Sequence, residues 1–417
     1  MNTQSRGLIA LVCGTAIATA APLLGAGGRP DIEPRLAAGE LESAEEVLAE
    51  HLRGEPDDDL ARFQLGTVQF LRAVERLSQT GVRYGVRTEA GWLPFLRVGA
   101  AAGGNREAQL VRYEDLRTMV ERFQSDIQTA EATLAEIDDE DLHWDLNFDQ
   151  VGIDADGDGH IAEAEHLNVI FGTLMNRRQP RNQEEPLVVG FDSADVYWMR
   201  GYCHAVMALA DAVLAYDHHE LFENTAHAFF LNPDTEFARE QSERKPRRRR
   251  GMFEFENASD FIAAIHLMDF KLREPARMRD CQRRLLKMVA LSRDSWRLIQ
   301  AEDDDHLEWI PNANQESVIA NLSVSPDRII AWHNFLDEAE AILGGDKLVP
   351  FWRRGFKDGV NLHRVLTDPR DFDLVLWVQG SAALPYLEPG KLSSKRSWSE
   401  LQQVFRGNFI GFALWVN

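Results

Sequence analysis

Apolar residues recur at helical spacing along most of the chain. Leu41, Ala44, Val47, Leu48 and Leu52 line one face, Gly54-Glu55-Pro56 interrupts it, and Phe63, Leu65, Val68 and Leu71 resume it. This predicts a helical hairpin over residues 41–77. Residues 106–137 follow as one long charged helix with an apolar edge at Leu110, Leu116, Val120, Phe123, Ile127 and Leu134. The acidic stretch 138–141 ends it. Leu146 and Phe148 then alternate with Asp145, Asn147 and Asp149, an extended pattern. Asp192 is a predicted N-cap for a helix reaching about Tyr216, with Val196, Met199, Cys203, Val206, Ala210 and Val213 at alternating steps of three and four. Trp198, Tyr202, Ala205 and Leu209 give that helix a second apolar face, so it should run through the middle of the protein. Further helices are predicted over 261–273 and 278–299, over 326–343 after Ser325-Pro326, and over 372–384 after Asp371. No series of alternating strands appears. The fold class is therefore mainly α, a multi-helix bundle or irregular helical body.

Within that body, the hairpin resembles a tetratricopeptide repeat, with Ala44 at the small-residue contact, Pro56 at the turn and Leu65-Gly66 in the second helix. One unit is matched, whereas such arrays need about three to bury a continuous core. Ahead of it, Arg6, an apolar run from Leu8 to Ala18 and the triplet Ala18-Thr19-Ala20 match a cleavable export signal, too short to remain as an anchor. The chain divides into a signal (1–20), a linker (21–34), the hairpin region (35–104), the long helix with the loop discussed below (105–175), a central helical region (176–236), a basic linker (237–255) ending in the run 244–250, and a C-terminal helical region (256–417). The aromatic segment 405–415 reads as a docked terminal helix.

Lys and Arg number 45 against 67 Asp and Glu, a net charge of −22. That balance disfavours a nucleic-acid binder, which needs concentrated positive charge. Beyond the signal no stretch is apolar for long enough to span a membrane. Export would leave Cys203 and Cys281, either as a pair or as two buried thiols. Seven of the ten tryptophans lie from Trp296 to Trp415; their spacing suits core packing better than an exposed sugar-stacking face.

Asp154, Asp156 and Asp158 alternate through a tight stretch, followed by Gly159, His160, Ile161 and, at the twelfth position, Glu165. This segment closely resembles the EF-hand calcium loop. The resemblance implies Ca²⁺ held by the carboxylates of Asp154, Asp156 and Asp158, the backbone carbonyl of His160, a water at Ala162 and a bidentate Glu165 on the outgoing helix. Gly159 supplies the left-handed turn, and Ile161 is the position that contacts a partner loop in paired hands. No second loop exists: Asp57–Asp59 and Asp303–Asp305 lack alternation and the glycine, and Gln150 replaces the glycine after Asp145, Asn147 and Asp149. The entering segment is extended, so the unit is loop and helix only. An unpaired loop points to a structural calcium, here fixing the long helix to the helical body.

At 100° per residue, Arg200, His204, Asp211 and His218 fall on one narrow polar stripe of the central helix, and His266, Asp269 and Arg273 form a similar edge. Such residues can build a general acid/base site, or pair with each other structurally. The leading expectation is an exported calcium-binding protein with a structural or interaction role in the cell envelope, with a protein partner. The alternative is a periplasmic or secreted hydrolase-like enzyme using the stripe. Nothing resembles a nucleophile elbow, a phosphate-binding glycine loop, a zinc helix or paired CxxC motifs.

Overall fold

The computed structural model describes residues 28–87, 108–174, 186–243, 252–319 and 322–394. The signal at 1–20, the run 244–250 and the segment 405–415 lie outside the described residues. The fold is mainly helical. After the short α1 (Glu33–Ala37), α2 (Leu41–Gly54) and α3 (Asp59–Arg83) form the expected hairpin, and α4 (Tyr113–Leu134) is the long charged helix. Its start falls later than the spacing suggested, at Tyr113, where Arg112 and Asp115 bond reciprocally around the first turn.

Strand β1 (His143–Asn147) pairs antiparallel with β2 (Val188–Asp192), and between them lie the acidic loop at 154–165 and α5 (Leu167–Leu174). Trp144 and Leu146 are buried while His143 and Asp145 face out, as period-two alternation requires. Strand β2 runs directly into α6 (Ser193–Leu214), where Asp192 accepts from the N–H groups of Ala194 and Asp195. A cap of this kind contributes about 1 kcal/mol.

The remaining elements are β3 (Tyr216–Asp217), α7 (His219–Phe229), α8 (Glu236–Glu243), α9 (Met252–His266), β4 (Asp269–Leu272), α10 (Pro275–Ile299), α11 (Pro326–Gly344), β5 (Val349–Pro350), β6 (Gly359–Val360), α12 (Leu362–Thr367), β7 (Phe372–Asp373), α13 (Leu374–Gln379) and β8 (Leu387–Glu388). Three expectations change here. Helices α8 and α9 extend into the stretch read as a basic linker. The helix expected to reach Arg273 stops at His266, because residues 269–272 become the central strand of a β3-β4-β7 sheet. The helix expected from Asp371 is short: Phe372–Asp373 joins that sheet, Asp373 caps α13, and Gly380, at φ 107°, ends it before a 3-10 turn.

Helices pack in succession, α2 on α3, α3 on α4, α4 on α6, α6 on α10, and α10 on α11 and α12. The largest core joins α1–α3, β1 and β2 to the facing ends of α6, α10 and α11, and centres on Phe63, Trp144, Phe191, Trp296, Trp309 and Trp332. Of the seven tryptophans from Trp296 onward, Trp296, Trp309 and Trp332 are core residues as expected and Trp377 is half-buried, whereas Trp352 is exposed and Trp398 and Trp415 lie outside the described residues. Cys203 and Cys281 are both buried and unpaired, in separate apolar clusters. Burial pushes both thiols up, Cys281 to about 11, which makes them inert. Among the described residues no helix is long and apolar enough to cross a membrane.

Candidate functional site

The acidic loop leaves β1 through a single 3-10 turn, Phe148–Gln150. Oxygens of Asp154, Asp156 and Asp158 converge, all within 4.8 Å of one another. Their second role is local: Asp154 accepts from the N–H groups of Gly157 (2.8 Å) and Gly159 (3.2 Å), Asp156 from Asp158, and Asp158 from His160. Gly157 and Gly159 both sit at positive φ, 78° and 80°, which lets the chain curl around the carboxylates.

Glu165 lies in a 3-10 turn ahead of α5 rather than on the helix itself, and it is 1% exposed. Its Oε1 accepts from Ala155 and Asp156 N–H, and its Oε2 from Ala162 N–H at 2.9 Å. Three aspartates thus converge, while Glu165 lies outside their cluster, its oxygens held by backbone donors. The base of the loop is zipped by Ile153 N–H to Glu165 C=O and Leu167 N–H to Val151 C=O.

The loop leans on the hairpin rather than on α4. Gln79 of α3 donates to the Asp154 carbonyl at 2.8 Å, Glu75 accepts from Asp154 N–H, and Gly152 N–H reaches the Leu36 carbonyl. Burial pushes the Glu75 carboxyl up to about 7, helped by the neighbouring Asp154 charge. Ile161 packs where only glycines fit: a Cβ on Gly39 would stand 2.3 Å from its Cδ1, and one on Gly152 would stand 2.8 Å from its Cγ1. The place a partner loop takes in paired hands is filled by the α1–α2 turn of the same chain.

The polar stripe on α6 is divided between two structural networks. Arg200 and His204 both face Glu131 of α4, each at 3.3 Å. Burial opposes ionisation of Glu131, but the bonds and charges from His204 and Arg200 prevail and hold its carboxyl below the usual range. Asp211, 2% exposed, instead accepts from Gln124 of α4 at 2.7 Å and pairs with Arg277 and Arg284 of α10. His218 lies beyond the end of α6, where its ring packs edge-on against Phe270 at 4.1 Å. His266 and Asp269 are exposed, and Lys271 is the cation nearest Asp269, at 3.9 Å. Arg200 and His204 thus share Glu131, while Asp211, His218 and Asp269 are engaged elsewhere.

A constellation that the sequence reading passed over lies at the other end of β1. Register places His143 opposite Asp192 and Asp145 opposite Gly190. Residues 304–308 cross above Gly190, whose N–H donates to the Leu307 carbonyl at 2.9 Å. This brings His306 to Asp145 at 3.1 Å, while His143 approaches the same Oδ1 at 3.0 Å. Behind them Asp192, Glu302 and Glu308 form a second convergent set. His143 and His306 of the first set, and all three residues of the second, border a cavity of about 380 Å³. Burial, reinforced by the neighbouring negative charges, pushes Glu302 up to about 8 and Glu308 up to about 7, and raises Asp195 below them strongly. The sequence signal was a His-x-Asp pair on a strand and His306-x-Glu308 after the aspartate run, two halves separated by 161 residues at the Asp145–His306 contact.

Compared with protein-family models, with curated proteins and with solved structures, the chain gives no match.

Proposed function

We propose that this is an exported calcium-binding protein in which Ca²⁺ serves as a structural element of the fold. The observation that carries the reading is the convergence of Asp154, Asp156 and Asp158 within 4.8 Å on a loop of twelve residues that ends in Glu165. Three carboxylates so close repel one another in water, and a hard dication relieves that repulsion while taking oxygens as ligands. The residues present suit the ion. The three aspartates and the His160 carbonyl supply oxygens and Ala162 leaves one position to water, while Glu165, which stands outside the aspartate cluster with both oxygens on backbone N–H groups, would have to turn toward the ion.

A structural rather than a sensing role follows from the surroundings of the loop. A sensor gains its switch when paired hands open an apolar groove. Here Ile161 is covered by Gly39 and Gly152, and the loop is bonded to α1 and α3. Binding would thus brace the hairpin against the β1–β2 ribbon. The partnering of His204 with Glu131 and of Asp211 with Arg277 and Arg284 weighs against an enzyme built on α6.

Calorimetric titration of chelator-treated protein with Ca²⁺ tests the proposal. Glu165→Gln should weaken binding by about tenfold or more, about 1.4 kcal/mol. Equal affinity in the two proteins would refute the ligand assignment.

A further inference from the structure

We propose that the cleft between β1, the start of α6 and residues 298–308 binds a divalent transition-metal ion through the imidazoles of His143 and His306 and the carboxylate of Asp145. The ligand atoms of these three side chains lie within 4.8 Å of one another. Both Nε2 atoms already aim at one oxygen, Asp145 Oδ1, at 3.0 and 3.1 Å, and the two rings stand 4.8 Å apart, centre to centre. A small ion between them would take the place of those contacts.

Ordinary histidine–aspartate hydrogen bonding accounts for the three residues taken alone. It does not account for what lies next to them. Seven carboxylates, those of Glu140, Asp141, Asp192, Glu302, Asp303, Asp304 and Glu308, line the cavity with the two histidines, and no lysine or arginine does. Glu302 Oε1 is buried and meets no donor. Its neighbours are the carboxylates of Asp192 and Glu308, and that triplet also converges within 4.8 Å. Carboxylates grouped this closely set up a negative potential that favours a cation or a shared proton between them. The two sets are joined through one residue, because the His306 side chain belongs to the first and its N–H donates to Glu308 of the second at 3.0 Å.

The backbone gives the cleft room for this. A Cβ on Gly190 would stand 2.4 Å from the His306 carbonyl oxygen and 3.4 Å from Asp145 Oδ1. Leu307, between the two ligand-bearing positions, takes the left-handed conformation at φ 57°, unusual for a side chain of its size. Two imidazoles with a carboxylate suit Zn²⁺, Fe²⁺, Co²⁺ or Ni²⁺ better than Ca²⁺ or Mg²⁺, which prefer oxygen alone. The cleft is thereby chemically distinct from the loop at 154–165, and its occupant is a different class of ion.

The test is a titration of the full chain with Zn²⁺ by calorimetry, in excess Ca²⁺, alongside Co²⁺ followed by visible absorption. One equivalent should bind, and the cobalt complex should show the bands of nitrogen-ligated Co²⁺. The double variant His143→Asn with His306→Asn, at two exposed positions, should lose at least about a hundredfold in Zn²⁺ affinity while its far-ultraviolet dichroism is kept. Asp154→Asn should leave Zn²⁺ binding as it is. No Zn²⁺ binding and no cobalt bands in the unaltered chain would overturn the proposal whatever the variants do, and so would unchanged affinity in a folded double variant. Failure of Ca²⁺ binding at the loop would leave these outcomes unaffected.

Discussion

Arg284 Nε donates to Asp211 Oδ2 at 2.8 Å across the interface of α6 and α10, the most extensive helix pair among the described residues. Arg277 reaches the other oxygen at 3.3 Å, so a carboxylate 2% exposed is met by two guanidinium groups from one neighbouring helix. Asp211→Ala should cost about 3 kcal/mol, because Arg284 would lose its counter-charge and Arg277 would keep only the more exposed Glu274 and Glu121. His204→Gln should cost only about 1 kcal/mol, since Arg200 still satisfies Glu131. Urea midpoints compare them, and a larger loss for His204→Gln would mean that α6 is held in another way.

Calcium should raise the melting temperature without exposing apolar surface. At a hundredfold excess over Kd, linkage gives about 2.7 kcal/mol of added stability. Scanning calorimetry with Ca²⁺ and with chelator measures this directly. Strong calcium-dependent binding of a hydrophobic dye to the folded protein would argue for a sensor instead.

Gly39 is required twice, by its φ of 71° and by the closeness of Ile161. Gly39→Ala should cost about 1–2 kcal/mol from the left-handed backbone alone, with the Ile161 clash added. Pairing it with Ile161→Ala should recover the clash but not the backbone strain, so the two changes should couple in a double-mutant cycle. Strict additivity would show that the loop does not rest on the α1–α2 turn.

Acid stability should depend on Asp58, the N-cap of α3. Burial raises its carboxyl, but bonds from Arg29, Ala61 N–H and His51 outweigh this and hold it at about 2. A carboxyl held below its unfolded value stabilises the fold above that value, so its contribution is lost as pH falls from about 4 through about 2. Asp58→Asn keeps a capping side chain yet removes the titration, and should flatten the stability profile in that window. Denaturant melts between pH 5 and pH 2 showing parallel profiles for the two proteins would contradict this.

What the sequence disclosed was local. Asp192 and Ser325-Pro326 marked helix starts because a cap acts within a turn of the chain. The alternation around Leu146 read as extended for the same reason. The stripe on α6 was correctly placed on one helix, yet the partners that determine its chemistry, Glu131, Arg277 and Arg284, come from α4 and α10. The cleft was unreadable for a related reason: Asp303–Asp305 was discounted as a calcium loop, and only tertiary pairing over Gly190 brings His306 to His143 and Asp145.

The succession in which α2, α3, α4, α6 and α10 pack has a kinetic meaning. Helices α2 and α3 adjoin in sequence and α4 follows after about thirty residues, so these three find their surfaces early, whereas α4 to α6 and α6 to α10 each span about sixty residues. The short ladders behave differently: β4 must meet both Tyr216–Asp217 and Phe372–Asp373, and residues 304–308 must return to β2. Closing such loops is entropically slow, so α2, α3 and α4 should condense before these ladders close. Pulsed hydrogen exchange during refolding would then find the amides of α3 and α4 protected first, and the Gly190 amide, bonded to Leu307, among the last.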